Sequence, residues 1–310
     1  MITMAEGLQA YRIYAQAAGR SPATISWVNN GVKLFMEFLG DEPKYCSEVT
    51  ASDLRRFIIE YGQRHAYQKH PFSKTKKTLV KAISIQTYVR AIKAFFSYLE
   101  SDDLIKENVI LKVKKPKAPV ISVPTFTQQE IERLLKAPNR QRKSGFRDYA
   151  LILTFIDTNA RLSELCNLDE KDVDLENGYL RLMGKGGKER FTPIGFRLCR
   201  ILMKYKLKYR SQPLGTEAFW LTQTGQRIKP NRVEFLIRSY GKQVGLERCY
   251  PHKLRHTASI LFLRNGGDPF SLQKKLGHSS LQMTRHYCNL ADTDVKRQHM
   301  KFGVVDKLNI

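Results

Sequence analysis

The apolar positions of the N-terminal third recur at helical spacing. From Ser21 onward, Ile25, Val28, Val32, Phe35 and Phe38 fall on one face of a helix. Ser21 is suited to cap that helix, and Pro22 to its first turn, where a missing N–H costs nothing. A second amphipathic run carries Val89, Ile92, Phe96 and Leu99 on one face. Between the two lies HAYQKHPFSKTKKTLVKAIS, residues 65–84, polar and Lys-rich, which reads as a loop or a solvated helix end. Residues 112–126, KVKKPKAPVISVPTF, hold three prolines and four lysines. Such a segment resists helix and predicts a linker. Thr127 and Glu130 then form a capping box that opens the next helix. Beyond it, DYALILTFID (148–157) is too apolar for a surface helix and belongs in a core. YLRLMGKGGKERFTPIG (179–195) alternates apolar and polar positions on both sides of a Gly-rich turn, which is the pattern of a β-hairpin. FWLTQTGQRI (219–228) reads as a second, shorter strand pair, and 230–300 as helices separated by Gly turns. The expected fold is mainly α with a small antiparallel β-sheet. The expected domains are a helical one over 1–111, a linker over 112–126 and a mixed one over 127–310.

Charge sharpens that picture. Fifty-three Lys and Arg stand against 29 Asp and Glu, a formal net charge of +24. An excess of this size calls for a polyanionic partner, and double-stranded DNA heads that list. No run of about 18 apolar residues exists to span a bilayer, and the N-terminus MITMAEGLQAY has neither the basic nor the apolar part of a signal peptide. The five cysteines, Cys46, Cys166, Cys199, Cys249 and Cys288, are odd in number and scattered, which reads as reduced thiols in a cytoplasmic protein. No HExxH or paired Cys/His spacing occurs, so neither a metal nor another cofactor is expected.

Four separated elements carry polar groups that a solvated surface explains poorly. In TNARLSELCNL (158–168), Arg161 and Glu164 lie three apart and share a helical face. By itself that is the spacing of a surface ion pair, worth about 0.5 kcal/mol. In GKGGKER (184–190), glycines leave Lys185 on a flexible tip. Lys188 is followed by Glu rather than Ser or Thr, so this is no nucleotide-binding P-loop. Lys185 reads either as a backbone-phosphate contact or as a proton donor. In HKLRHTASILFL (252–263), His252 and Arg255 are three apart at the start of a helix, where backbone N–H groups favour an anion. In LGHSSLQMTRHYCNL (276–290), Ser279 or Ser280 can cap a helix running through Tyr287, with His278 just ahead of it. Helical side chains lean toward the N-terminus, so Tyr287 reaches back over about 10 Å of rise toward His278. Tyr287 alone would be read as a core aromatic.

The ordered set Arg161, Lys185, His252, Arg255, His278, Tyr287 changes that reading. With ARLSEL, GKGGKER, HKLRHT, LGHSS and TRHY in this order, the chain resembles the tyrosine recombinase (phage integrase) family in its compact Xer-like branch, essentially along its whole length. It departs in having Asn159 and Ala160 where the family usually has Gly and a bulky apolar residue. Asn tolerates left-handed backbone, so the turn is expected to survive. The resemblance implies an N-terminal helical core-binding (SAM-like) domain and a C-terminal α+β catalytic domain that close as a C-shaped clamp on DNA. It implies a site-specific recombinase that cuts and rejoins DNA through a 3′-phosphotyrosyl bond, with integration, excision and resolution all open. In this picture Tyr287 is the nucleophile and Lys185 the acid. Arg161 and Arg255 hold the phosphate, His252 and His278 assist, and Glu164 supports Arg161. A mobile-element role stays open beside a chromosomal one. So do a type IB topoisomerase, which nicks and reseals one duplex, and a non-catalytic DNA-binding regulator on the same fold. Finally, the tail 292–310 carries Val295, Met300, Phe302, Val304 and Val305, more apolar than a fraying end requires. The resemblance implies that residues 293–308 dock on a neighbour in a homotetramer assembled on DNA.

Overall fold

The computed structural model describes residues 1–40, 45–66, 78–117, 124–278, 280–291, 299–300 and 305, and of Lys185, Met283, His286, Asn289, Leu290 and Ala291 the backbone only. Ser279, and the tail expected to dock in trans apart from His299, Met300 and Val305, lie outside the described residues. The chain divides into two compact units, Met1–Ser122 and Val123–Ile310.

Among the described residues the first unit packs four α-helices: α1 (Met4–Ala17), α2 (Pro22–Leu39), α3 (Ala51–Gly62) and α4 (Ala82–Ser101). Each of the first three starts at a side-chain cap. Thr3 accepts from Glu6 N, Ser21 from Thr24 N and Thr50 from Asp53 N. Val28, Val32 and Phe35 of α2 meet Val89, Ile92, Phe96 and Leu99 of α4 in a core that also takes in Leu54 and Phe57 of α3. Gly31 lets α2 and α4 approach closely, since a Cβ there would lie 2.5 Å from that of Ala91. The segment expected to be a linker is anchored at both ends. Val113 is buried in the first core, and Gln86 Nε2 donates to Pro116 O at 2.6 Å. At the other end Phe126 is buried in the second core, and its N–H donates to Thr257 Oγ1 at 3.1 Å. Residues 113–116 thus belong with the first unit and Phe126 with the second.

The second unit begins with α5 (Gln128–Lys136), capped by Thr127 and Glu130, then α6 (Lys143–Thr158) and the short α7 (Leu162–Cys166). Three antiparallel strands follow in the order β1 (Val173–Asp174), β2 (Tyr179–Met183), β3 (Glu189–Pro193). The β2–β3 register sets Leu182 opposite Arg190 and Leu180 opposite Thr192. Then come α8 (Phe196–Lys204), extended by a π-turn over Tyr205–Tyr209, α9 (Pro230–Gln243), α10 (Pro251–Arg264), α11 (Pro269–Leu276) and α12 (Leu281–Ala291). The main core gathers Leu151, Ile152 and Phe155 of α6 with Leu180 and Leu182 of β2 and with Trp220, Ile237 and Leu254. Among the described residues no helix is long and apolar enough to cross a membrane.

One expectation fails. The 219–228 segment forms a single bridge, Leu221 to Arg227, not a strand pair. Two backbone bonds join its arms, Thr222 N to Gln226 O (2.7 Å) and Ile228 N to Trp220 O (3.1 Å), and the pairing ends at Pro230, which has no N–H and opens α9. Arg210 donates to Phe219 O (3.1 Å) and Ala218 O (2.9 Å), and Leu221 N donates to Tyr205 Oη (3.2 Å). The apolar start of the segment is core, with Phe219 and Trp220 both buried in the main cluster.

Candidate functional site

The site is built from ends of elements rather than from their middles. Helix α6 stops at Asn159, which takes the left-handed conformation (φ 53°, ψ 28°). Asn thus does here what Gly does in related turns. Its amide also hydrogen-bonds Ser259 Oγ of α10 at 2.9 Å, and Ala160 is fully buried behind it. The turn delivers Arg161 to the N-cap position of α7, where Glu164 receives its backbone N–H (2.7 Å) and its Nη1 (2.7 Å). This is not the surface pair that the spacing by itself suggested. The Glu164 side chain is 2% exposed while that of Arg161 is 38% exposed. Burial alone would raise the Glu164 pKa, but the hydrogen bonds from Arg190 and Arg161 outweigh it and hold the carboxyl at about 2. Glu164 is therefore ionised throughout the working range, as a buried carboxylate flanked by guanidinium groups should be.

Arg255 comes from the opposite side, one turn into α10, and is buried. One Nη donates to Asn159 O, the carbonyl that precedes the Arg161 turn. The other donates to Leu276 O at 2.9 Å, at the end of α11. A single guanidinium thus ties the α6 terminus to the turn that carries His278. Burial, and next the charge of Arg161, push the Arg255 pKa down to about 10, so it remains a cation at neutral pH. Gly277 closes α11 in a left-handed turn (φ 63°), and His278 follows with its N–H on Gln273 O (3.1 Å). The His278 ring meets Thr284 of α12 through Nδ1 and Oγ1 at 3.0 Å. Burial, then the charges of Arg255, Arg161 and Arg190, drive its pKa down to about 4. The imidazole is neutral at physiological pH.

Tyr287 sits half-buried on α12. A small core of Ile260, Leu263, Leu272 and Leu276 receives it together with Cys288, and so seats α12 on α10 and α11. Its ring centroid is 6.2 Å from that of His278 and 5.1 Å from that of His256. The structure thus brings Arg161, Glu164, Arg255, His278 and Tyr287 into one neighbourhood. His252 lies on the exposed first turn of α10. Lys185 opens the turn between β2 and β3, and its side chain lies outside the described residues.

Three residues escaped the sequence reading. His256 sits against Tyr287 although His252 was the histidine chosen from the same motif. Thr284 is fully buried and partners His278. Arg190 pairs with Glu164 (2.7 and 3.0 Å). Arg190 alone left a legible signal: it occupies an inward position of β3, in register with Leu182, and an inward arginine requires a buried partner.

Chemically, two guanidiniums, Arg161 and Arg190, share the Glu164 carboxylate, and Arg255 adds a third positive charge held on backbone carbonyls, so the neighbourhood is net positive and suited to an oxyanion such as a phosphodiester. A phenol stands beside it. Among the described residues no three His, Cys, Asp or Glu gather as a metal-binding group.

Comparison with known proteins adds the following. The pattern of the Phage integrase family matches residues 124–294. Tyrosine recombinase XerC of Thermodesulfovibrio yellowstonii is 32% identical over 288 residues, covering 88% of this chain and 87% of its own. Among solved structures, that of XerA recombinase is similar at 26% identity with a TM-score of 0.51, over 96% of this chain and 97% of that one. A lambda integrase dimer bound to a COC′ core site gives a TM-score of 0.72 at 19% identity, over 94% of this chain and 96% of that one. At that identity the likeness speaks for the fold.

Proposed function

The chain belongs to the phage integrase family of tyrosine recombinases, in its Xer-like branch, and from that premise we propose that Arg161, Arg255, His278 and Tyr287 form the centre at which it cuts and rejoins DNA. The protein is a site-specific recombinase and its substrate is DNA. The observation that carries the residue assignment is the placement of a phenol and a neutral imidazole beside Arg255, whose guanidinium is fixed by two backbone carbonyls.

The reaction then runs as follows. Arg161 and Arg255 take the non-bridging oxygens of the scissile phosphate, where charge builds in the pentacoordinate transition state. The Tyr287 oxygen attacks phosphorus, the bond to the 5′ oxygen breaks, and a 3′-phosphotyrosyl linkage forms. The phenolic proton passes to a basic neighbour, for which His278 is suited once DNA is bound. The arriving phosphate offsets the arginine charges that depress its pKa, and so raises its basicity. His252, on the exposed turn, contributes a hydrogen bond to the phosphate. The departing 5′ oxygen takes a proton from Lys185. Rejoining is the reverse attack by a 5′ hydroxyl, so the linkage is conserved without ATP.

The direct test is covalent trapping. Target sites are first recovered by sequencing genomic DNA cross-linked to the protein. A nicked duplex of such a site, whose short downstream fragment with the freed 5′ hydroxyl diffuses away after cleavage, should then leave a denaturant-resistant adduct. No adduct on any recovered site sinks the reading. Lys185→Ala should slow cleavage of ordinary DNA by about 10²–10⁴-fold, the usual scale for a lost general acid. A substrate with sulfur at the 5′ bridging position needs little protonation and should restore the rate. Equal slowing on both substrates would reduce Lys185 to a phosphate contact.

The assembly is proposed to be a homotetramer on two DNA sites, held by residues 293–308 docking on the neighbouring protomer. The apolar positions of that tail support this, because a solvated end has no use for them. Deleting residues 293–310 should leave single-site binding within about twofold and remove the two-site synapse, a split that follows when one segment supplies the second interface. Gel shifts with one and two sites separate the outcomes. A truncated protein that still forms tetrameric synapses would show the tail to be a local cap.

A further inference from the structure

Arg190 belongs to none of the motif positions assigned above, yet it joins three of the elements that carry them. It lies on β3, on the hairpin whose tip bears Lys185. Its side chain is 14% exposed. Nη1 and Nη2 fork onto the two oxygens of Glu164 at 3.0 and 2.7 Å, and Nε donates to Lys275 O at 3.2 Å, near the end of α11. Glu164 gives the same two oxygens to Arg161. Two glycines leave room for this arrangement. A Cβ at Gly277, the residue before His278, would meet Arg190 Nη1 at 3.2 Å, and one at Gly184, just before Lys185, would lie 3.7 Å from Glu164 Oε1.

We propose that Arg190 is a positioning residue that locks the β2–β3 hairpin, the Glu164–Arg161 arm and the α11 turn carrying His278 into one rigid unit. The inference deepens the function proposed above and rests on it. The physical need is clear. Arg161 is partly exposed and long, so left to itself it would lose rotamer freedom each time it held a phosphate. Glu164 removes that freedom in advance. A buried carboxylate, however, would be left with too little compensation whenever Arg161 turns part of its charge to DNA. Arg190 supplies a second, permanent fork that keeps both carboxylate oxygens ionised and aimed. Its Nε, Nη1 and Nη2 are all engaged within the protein, so it acts through Glu164 and Arg161 rather than on the phosphate itself.

The test compares Arg190→Gln, Arg190→Lys, Glu164→Gln and the double variant Arg190→Gln/Glu164→Gln with the parent chain on the nicked trapping substrate. Adduct rate at saturating DNA, DNA affinity and thermal melting are all read. Arg190→Gln is expected to slow adduct formation by roughly 10–100-fold, the scale of a small misplacement of reacting groups, while affinity stays within about twofold because no phosphate contact is lost. Arg190→Lys keeps the charge but not the fork, so it should melt near the parent yet recover little of the rate. If Arg190→Gln does not fold, Arg190→Lys carries the test. The double variant should be no slower than the slower single variant, because both changes break the same link. A parental rate per folded molecule in Arg190→Gln would make the residue a stabilising pair only. Full recovery by lysine would make it a source of charge only. A weakened affinity with a shallower salt dependence would make it a phosphate contact. Each overturns the proposal, whereas a parent that forms no adduct overturns the proposed function instead.

Discussion

Tyr287→Phe should bind its DNA sites as the parent does and form no covalent adduct on the trapping substrate. The substitution removes one oxygen and nothing else. The ring keeps its place beside His256 and His278 and its seat on the small core of α10 and α11. Stability should therefore change by less than about 1 kcal/mol, and any loss of activity is a loss of chemistry. The loss should be complete, and two other tyrosines of the same unit are already held elsewhere. Tyr205 is buried with its hydroxyl at the backbone of Phe219 and Leu221, and the Tyr240 hydroxyl donates to Asp148 at 2.8 Å. Peptide mapping of the parent adduct should return Tyr287. An adduct in the variant, or one mapped to another tyrosine, overturns the assignment.

Arg255→Lys should lower the adduct rate at saturating DNA by about 10²–10³-fold, the usual consequence of removing a preorganised donor to transition-state charge. The parental guanidinium spends two donors on Asn159 O and Leu276 O and has N–H groups left for a phosphate oxygen, since the planar fork carries five donors. A lysine ammonium has three and no fork. It cannot hold both carbonyls and the phosphate in one geometry. The variant should also be destabilised by about 1–3 kcal/mol, the usual consequence of leaving a buried carbonyl without a partner. Rate and melting are measured separately, and the rate is taken on folded protein. A rate within threefold of the parent would show that Arg255 only braces the two turns. At a surface the same substitution would be mild. Burial and the double anchor are what make it severe here.

Much of this protein can be read from residue order. The caps at Ser21, Thr127 and Glu130, the stripe Val28, Val32, Phe35 and the apolar run of α6 each express a local rule, because capping and periodicity depend on neighbours within one or two turns. The residues proposed for chemistry were legible for a different reason. Their order and separation along the chain resemble a family, and the comparisons bear out that membership. The left-handed backbone at Asn159 was also predictable, from the short side chain that tolerates it.

Tertiary structure decided what depends on contacts distant in sequence. The 219–228 segment looked like a strand pair, but its arms share just one bridge because Pro230, without an N–H, opens the next helix, while Tyr205 and Arg210 bind its outward backbone groups. Arg161 and Glu164 looked like an exposed pair worth a fraction of a kcal/mol. Burial by itself would raise the Glu164 pKa, and it is the fork of Arg190 arriving from the hairpin, together with the bonds from Arg161, that holds the carboxyl at about 2. His278 has an ordinary imidazole in sequence. Its pKa falls to about 4 because the fold buries it, and next because Arg255 and Arg161 approach it from other elements. Sequence by itself determined which groups are present and which helices carry them, since those follow from local spacing. The fold decided which groups share a low-dielectric space, and electrostatic interactions reach full strength only there.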